Sequence, residues 1–116
     1  MISFVCFLGL GVLYFPDGNT AYDGQWVKDM FEGYGRLYNN DISSMSSVDY
    51  KDLGERWLKY EGDFKQNKKE GFGTITFSNG EFYTGGFKED KAHGQGELHT
   101  KTREVIKARW NNNKIV

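Results

Sequence analysis

The sequence predicts an all-β fold, an elongated antiparallel meander of β-hairpins that is open at both ends. Of its 116 residues, 15 are Gly and 19 are aromatic (seven Tyr, nine Phe and three Trp), and aromatic residues favour strands whereas Gly does not. Both residue types recur at fixed spacing, and Asn, Asp and Gly punctuate the segments between them. The length fits one domain spanning 1–116.

The repeat has two halves, an aromatic pattern followed eleven residues later by a Gly-x-Gly pattern. The full copies are Tyr22-x-Gly24-x-Trp26 with Gly33-x-Gly35-x-Leu37, Tyr60-x-Gly62-x-Phe64 with Gly71-x-Gly73-x-Ile75, and Tyr83-x-Gly85-x-Phe87 with Gly94-x-Gly96-x-Leu98. Gly9-x-Gly11-x-Leu13 looks like a second half with no first half, and Ile106-x-Ala108-x-Trp110 like a degenerate first half. Such periodicity indicates a stack of supersecondary units.

These patterns divide the domain into a partial repeat 4–18, repeats 19–38, 57–80 and 81–103, a partial repeat 104–116, and an insertion 39–56. The Ser-rich insertion is predicted to be a tolerated surface loop, with a partner contact or phosphorylation site as the alternative. The apolar run from Phe4 to Phe15 is too short to cross a bilayer and lacks the basic start of a signal peptide. It is predicted to be a buried strand.

Antiparallel register within the second copy predicts three cross-strand pairs, Phe64 with Gly71, Gly62 with Gly73, and Tyr60 with Ile75, around a loop over 65–70. Each aromatic ring would then cover a glycine, and the Gly–Gly pair would leave a slot for a ring of the next hairpin. The equivalent pairs are expected in the other two copies.

Turn chemistry supports these hairpins. Asn67, Asp90, Asp29 and Asn113 occupy equivalent mid-loop positions, where Asn and Asp tolerate left-handed backbone. The run 78–81 (Ser-Asn-Gly-Glu) predicts a hairpin with a two-residue turn between the second and third copies. Asp17-Gly18 is predicted to form the corresponding turn before the first full copy.

The spacing of these motifs resembles the MORN (membrane occupation and recognition nexus) repeat over residues 9–38 and 58–100, and loosely over 106–114. The resemblance implies a β-hairpin solenoid without enzymatic activity. MORN repeats occur in cytoskeletal, ciliary and membrane-junction proteins and beside lipid kinases or methyltransferases. The chain departs from the pattern at the insertion, which is expected to interrupt the stack, and in the last copy, which lacks the Tyr and the Gly.

No catalytic, metal or cofactor site is predicted. Gly73 is followed by strand sequence rather than the helix that a phosphate-binding glycine loop requires. His93 and His99 lack companions at metal-ligand spacing and are expected on the surface. The net charge of −1 gives no basic footprint for nucleic acid, and no small-molecule substrate is expected.

The favoured function is an intracellular scaffold that binds other proteins in a larger assembly or oligomer, with a cytoskeletal, ciliary or flagellar location inferred from the resemblance alone. The single cysteine, Cys6, agrees with a reducing compartment. Candidate partner-binding rings are Tyr22, Trp26, Tyr60, Phe64, Tyr83, Phe87 and Trp110, which have core packing as their alternative role.

Two other functions stay open. A module for anionic membrane surfaces would use basic clusters, and Lys65, Lys68 and Lys69 form one cluster while Lys101, Arg103, Lys107 and Arg109 form another. A regulatory part of a larger enzyme is the third possibility.

Overall fold

The computed structural model describes residues 3–7, 9–39 and 57–116, and for residues 3–7 the backbone alone. All regular structure in these ranges is β-strand. The ten strands form one sheet whose order follows the chain, each antiparallel to its neighbours. They are β1 (Ser3–Phe7), β2 (Leu10–Tyr14), β3 (Thr20–Val27), β4 (Met30–Tyr38), β5 (Trp57–Lys65), β6 (Lys68–Phe77), β7 (Phe82–Lys88), β8 (Lys91–His99), β9 (Val105–Asn111) and β10 (Lys114–Ile115). The predicted all-β meander is confirmed.

The apolar N-terminal run forms two strands rather than the one buried strand predicted, and its Leu10 is 57% exposed. β1 pairs with β2 from Ser3–Tyr14 to Phe7–Leu10, and Cys6 lies opposite Gly11. Gly9-x-Gly11 therefore does have a partner strand. The repeat spacing did not reveal it, because Cys6 replaces the Gly and lies five residues before Gly11, whereas Gly62 lies eleven residues before Gly73.

The insertion 39–56 lies outside the described residues except for Asn39. On either side of it, β4 and β5 pair continuously from Gly33–Phe64 to Tyr38–Lys59. The Asn39 N–H also donates to the Leu58 carbonyl over 2.9 Å. The expectation that the insertion interrupts the stack was wrong, because the sheet closes across it.

The predicted register holds over half of each hairpin. Tyr60 lies opposite Ile75 and Gly62 opposite Gly73, but Phe64 lies opposite Lys69 rather than Gly71. The ladder slips by two residues because β6 bulges at Gly71, whose φ of 103° favours glycine. The first and third copies slip in the same way, at Gly33 and Gly94.

The prediction was that an aromatic residue covers a glycine within its own hairpin. The structure shows this arrangement between neighbouring hairpins instead. Phe64 lies opposite Gly33, Phe87 opposite Gly71 and Trp110 opposite Gly94. Each aromatic residue therefore faces the glycine of the preceding copy, and this pairing links consecutive hairpins.

Two kinds of turn join the strands. Within copies the turns are two residues long with both φ positive, as in Gln66-Asn67 at 50° and 70°, which confirms the left-handed prediction for Asn67 and its equivalents Asp29, Asp90 and Asn113. The predicted loop 65–70 is correspondingly shorter.

Between copies the connection has three residues rather than the two predicted. Gly80 N–H donates to the Phe77 carbonyl (3.0 Å), and Phe77 N–H donates to the Glu81 carbonyl (2.8 Å). Gly80 has a φ of 91°, and Arg103 takes the equivalent place at the next join with a φ of 68°.

Candidate interaction surface

The seven predicted rings lie on one face of the sheet, here called the core face, and form a continuous row. Neighbouring rings meet edge to face, a favourable aromatic geometry. Along the row the contacts are Trp26–Tyr22 (5.1 Å between centroids), Tyr22–Phe64 (5.3 Å), Phe64–Tyr60 (5.0 Å), Tyr60–Phe87 (5.0 Å), Phe87–Tyr83 (5.4 Å) and Tyr83–Trp110 (5.0 Å). Phe64 and Phe87 thus each touch the tyrosine of their own copy and that of the preceding copy.

Burial separates the row into core and surface. Six of the seven rings are at most 5% exposed, whereas Trp26 is partly exposed and packs against the core. A partner can therefore touch Trp26 without opening the sheet, but it cannot touch the other six. For Trp26, partner contact stays a prediction.

Each buried tyrosine also closes a hydrogen bond over the bulge. Tyr22, Tyr60 and Tyr83 donate their hydroxyls to the carbonyls of Gln25 (2.8 Å), Asp63 (2.7 Å) and Gly86 (3.0 Å). Burial raises the pKa of Tyr83 to about 12, and burial together with the charge of Asp23 raises the pKa of Tyr22 to about 12. Burial raises the pKa of Tyr60 as well.

The framework glycines form a row across the sheet beside the tyrosines. Successive strands place Gly11, Gly24, Gly35, Gly62, Gly73, Gly85, Gly96 and finally Ala108 directly opposite one another. A Cβ on Gly73 would lie 2.6 Å from Cζ of Tyr60. On the core face, the space predicted beside the Gly–Gly pair is thus filled by the tyrosine of the same hairpin, not by a ring of the next hairpin.

The two-residue turns tie each copy to the one before it. Asn67 donates its N–H to the Phe31 carbonyl (3.0 Å), and its side-chain oxygen accepts from the Phe31 N–H (2.8 Å). Asp90 makes the same pair of bonds with Lys69, and Asn113 makes them with Ala92. The second turn position therefore requires a residue that tolerates positive φ and carries an acceptor oxygen on a short side chain. Asn and Asp meet both requirements.

The opposite face of the sheet, here called the open face, carries exposed apolar side chains. The middle residues of three Gly-x-Gly motifs, Leu10, Tyr34 and Phe72, are 57%, 51% and 63% exposed. They lie on β2, β4 and β6, and therefore about 10 Å apart at the usual strand spacing. Sequence reasoning missed this set because it treated the middle position as variable.

Tyr34 and Phe72 border an open slot of about 400 Å³. Its floor is the backbone of Gly62 and Gly73, and Glu61, Asp63 and Thr74 complete its lining. Asp63 Oδ2 accepts from the Phe72 N–H over 3.2 Å. Glu61 is paired with Lys59 (2.9 Å) and Arg36 (3.0 Å), and both cations lower its pKa.

The predicted basic clusters are weaker as surface features than the sequence indicates. Lys69 is 6% exposed, with its ammonium 4.3 Å from the Trp57 ring centroid and 3.9 Å from Asp90 Oδ1. In the second cluster, Lys107 lies 3.8 Å from a Glu97 carboxylate oxygen.

The described ranges hold neither a metal-ligand cluster nor a membrane-spanning helix. No three His, Cys, Asp or Glu side chains there converge as a metal site would require. His99 stacks on Phe82 at 4.4 Å, and His93 is exposed, as predicted. No helix in the same ranges has the length and apolarity needed to cross a bilayer.

Comparison with known proteins agrees with this architecture. The MORN repeat profile matches residues 8–20, 22–41, 60–82 and 83–102. The chain belongs to the MORN repeat family. Its curated relatives include alsin from Homo sapiens and from Pan troglodytes, each 32% identical over 92 residues, and alsin from Rattus norvegicus, 30% identical over 92 residues. The match covers 79% of this chain but 5% of each alsin.

Membership confirms the predicted resemblance and gives the general class of function. MORN repeats are non-catalytic modules that mediate protein or membrane interactions. Two surfaces are therefore of interest, the partly exposed Trp26 at the end of the core-face row and the open face around Tyr34 and Phe72.

Proposed function

We propose that this chain is a non-enzymatic scaffold module that binds other proteins within a larger intracellular assembly. The observation that carries the proposal is the open face, where Leu10, Tyr34 and Phe72 expose more than half of their surface. Aromatic residues are enriched at protein interfaces, so a sheet face that exposes Tyr34 and Phe72 suits a protein partner. A cytoskeletal or ciliary assembly is proposed as the location by analogy with the family.

The membrane alternative has less support. A surface that reads anionic lipid requires several unpaired cations on one side. Lys69 is buried against Trp57, and the cations of the open face are interleaved with carboxylates, as in the pairs of Glu61 with Lys59 and Arg36. Protein binding is therefore the favoured function.

Site-specific photo-crosslinking tests the proposal. A photoreactive benzoyl-phenylalanine replaces Gln95, which is exposed in the middle of the Gly-x-Gly motif of the third full copy. A control protein carries it at Thr102, an exposed residue in a turn. In the native cell we expect discrete protein adducts from position 95 and not from position 102. Equal adduct patterns at both positions would contradict binding through the open face.

Vesicle flotation tests the alternative. At physiological salt we expect the purified chain to stay with the soluble fraction when it is mixed with phosphatidylserine vesicles. Salt-sensitive flotation, combined with no protein adducts from position 95, would favour lipid binding instead.

A further inference from the structure

We propose that the slot between Tyr34 and Phe72 binds an arginine side chain from an extended segment of the partner protein. The inference rests on the proposed protein-binding function and names the chemistry that this surface recognises. It stands on three features of the slot: two exposed rings, a carboxylate between them, and a floor of bare backbone.

The spacing of the rings suits a flat cation. Tyr34 lies on β4 and Phe72 on β6, with β5 between them, so their attachment points are about 10 Å apart. Asp63 lies opposite Tyr34 on β5, the strand between the two rings, so a cation bound to its carboxylate lies between the rings, where it can interact with a ring face. The floor beneath that group is the backbone of Gly62 and Gly73, whose side-chain positions face Tyr60 on the core face.

The charge of the slot selects a cation. The two side chains in its lining that carry charge at neutral pH, Glu61 and Asp63, are both acidic. Glu61 is already bonded to Lys59 and Arg36, so Asp63 supplies the available charge. Its Oδ2 accepts from the Phe72 N–H, and its Oδ1 has no hydrogen-bond donor among the described residues.

Guanidinium fits these features better than ammonium does. It is planar, stacks on aromatic faces, and presents several N–H donors in one plane, so it can lie against the rings and donate to Asp63 together. Lysine offers a compact, strongly hydrated charge that stacks poorly. The slot therefore favours arginine.

The neighbouring copies show which residues make the slot distinctive. The positions equivalent to Asp63 hold Gln25 and Gly86, and the Gly-x-Gly motif of the third full copy holds Gln95 in place of an aromatic residue. Within the described part of the chain, the combination of two rings and an intervening carboxylate occurs once. These natural differences also supply substitutions that the repeat already tolerates.

A peptide titration tests the assignment. The probe is acetyl-Gly-Gly-Arg-Gly-Gly-amide, with citrulline and lysine versions as controls, and binding is followed by amide chemical shifts of the 15N-labelled chain. We expect the shifts to centre on 34, 62–63 and 72–73. Citrulline keeps the shape without the charge and should bind at least about fivefold more weakly, as should lysine.

Three variants locate the interaction. Asp63→Gln keeps an acceptor for the Phe72 N–H but loses the charge, and Phe72→Gln copies the third repeat. Each should weaken arginine-peptide binding about fivefold or more. Leu10→Gln removes an exposed apolar side chain of the same face, outside the slot lining, and should leave the affinity unchanged.

The outcomes separate this inference from the function on which it rests. Absence of binding, equal binding of the citrulline or lysine peptide, or undiminished binding by Asp63→Gln overturns the arginine site. If photo-crosslinking from position 95 still yields protein adducts when Phe72→Gln is also present, the scaffold proposal stands although the arginine site fails. Loss of those adducts in Phe72→Gln, with folding intact, supports both.

Discussion

Tyr60 and Gly73 act as one packing unit at the scale of single residues, because the ring occupies the space that a side chain at position 73 needs. Gly73→Ala would place a methyl 2.5 Å from Cε1 and 2.6 Å from Cζ of a fully buried ring. We expect the free energy of unfolding in urea to fall by about 2–3 kcal/mol.

Gly94→Ala is the matched control for this steric effect. Gly94 has a φ of 84°, yet nothing lies within 4 Å of the position of its Cβ. Its cost is therefore backbone strain alone, about 1 kcal/mol. A larger loss in Gly94→Ala than in Gly73→Ala would show that the tyrosine does not set the glycine requirement.

The tyrosine hydroxyls add a pH dependence at the same scale. Burial raises the pKa of Tyr83 to about 12, above the ordinary value of about 10, so the folded chain holds this proton more tightly than the unfolded chain. The resulting stability is fully present below pH 10 and is lost as the pH rises towards 12. Tyr83→Phe should make that decline in the free energy of unfolding shallower.

At neutral pH the same variant should lose about 1 kcal/mol, because it removes the hydrogen bond to the Gly86 carbonyl. Urea titrations at several pH values from about 7 to about 12 measure both effects. Tyr34→Phe, which changes a half-exposed ring, is the control, and an unaltered alkaline slope in Tyr83→Phe would contradict the assignment.

At the scale of the hairpin, Asp90 joins the third copy to the second. Its carboxylate accepts from the Lys69 N–H over 2.9 Å and lies 3.9 Å from the Lys69 ammonium, and its φ is 73°. Asp90→Ala loses the acceptor and should cost about 1–3 kcal/mol in thermal or urea unfolding.

Asp90→Asn separates the hydrogen bond from the charge. Asn occupies the equivalent positions 67 and 113 and makes the same bonds there, so this variant should lose less than about 1 kcal/mol. A cost equal to that of Asp90→Ala would mean that the ion pair, rather than the amide hydrogen bond, holds the turn.

Within the hairpin, the sequence predicted some features of the structure and missed others. Fixed spacing and turn residues predicted the strands, the Gly62–Gly73 and Tyr60–Ile75 pairs, and the left-handed turn at Asn67. The spacing did not reveal the bulge at Gly71, because the same sequence is compatible with a regular antiparallel ladder. The positive φ of Gly71, which only the structure gives, distinguishes the bulge from that ladder. The slot at Tyr34 was missed for a related reason, since it forms between copies and no single motif contains it.

At the scale of the whole molecule, each strand contacts the strands next to it in sequence. Stability in such an array is a sum of terms between neighbours. Among the described strands, β4 and β5 are the one neighbouring pair joined by a long connection. Their ladder is as long as that of the equivalent pair β6 and β7, and the Asn39–Leu58 bond matches the Phe77–Glu81 bond. We therefore expect the join to hold through its own contacts, with the 17 residues of 40–56 adding a cost of loop closure.

Replacing 40–56 with a four-residue Gly-Ser linker tests this conclusion. The loop shortens about fourfold, and each halving lowers the closure cost by about 0.6 kcal/mol, so we expect the free energy of unfolding in urea to rise by about 1 kcal/mol. Amide hydrogen exchange at 37 and 60 should slow in parallel, because both residues lie in the ladder across the join. A matched scrambled insertion of 17 residues should behave like the original chain. Destabilisation by the short linker, or by the scrambled sequence, would mean that the insertion supports the sheet through specific contacts.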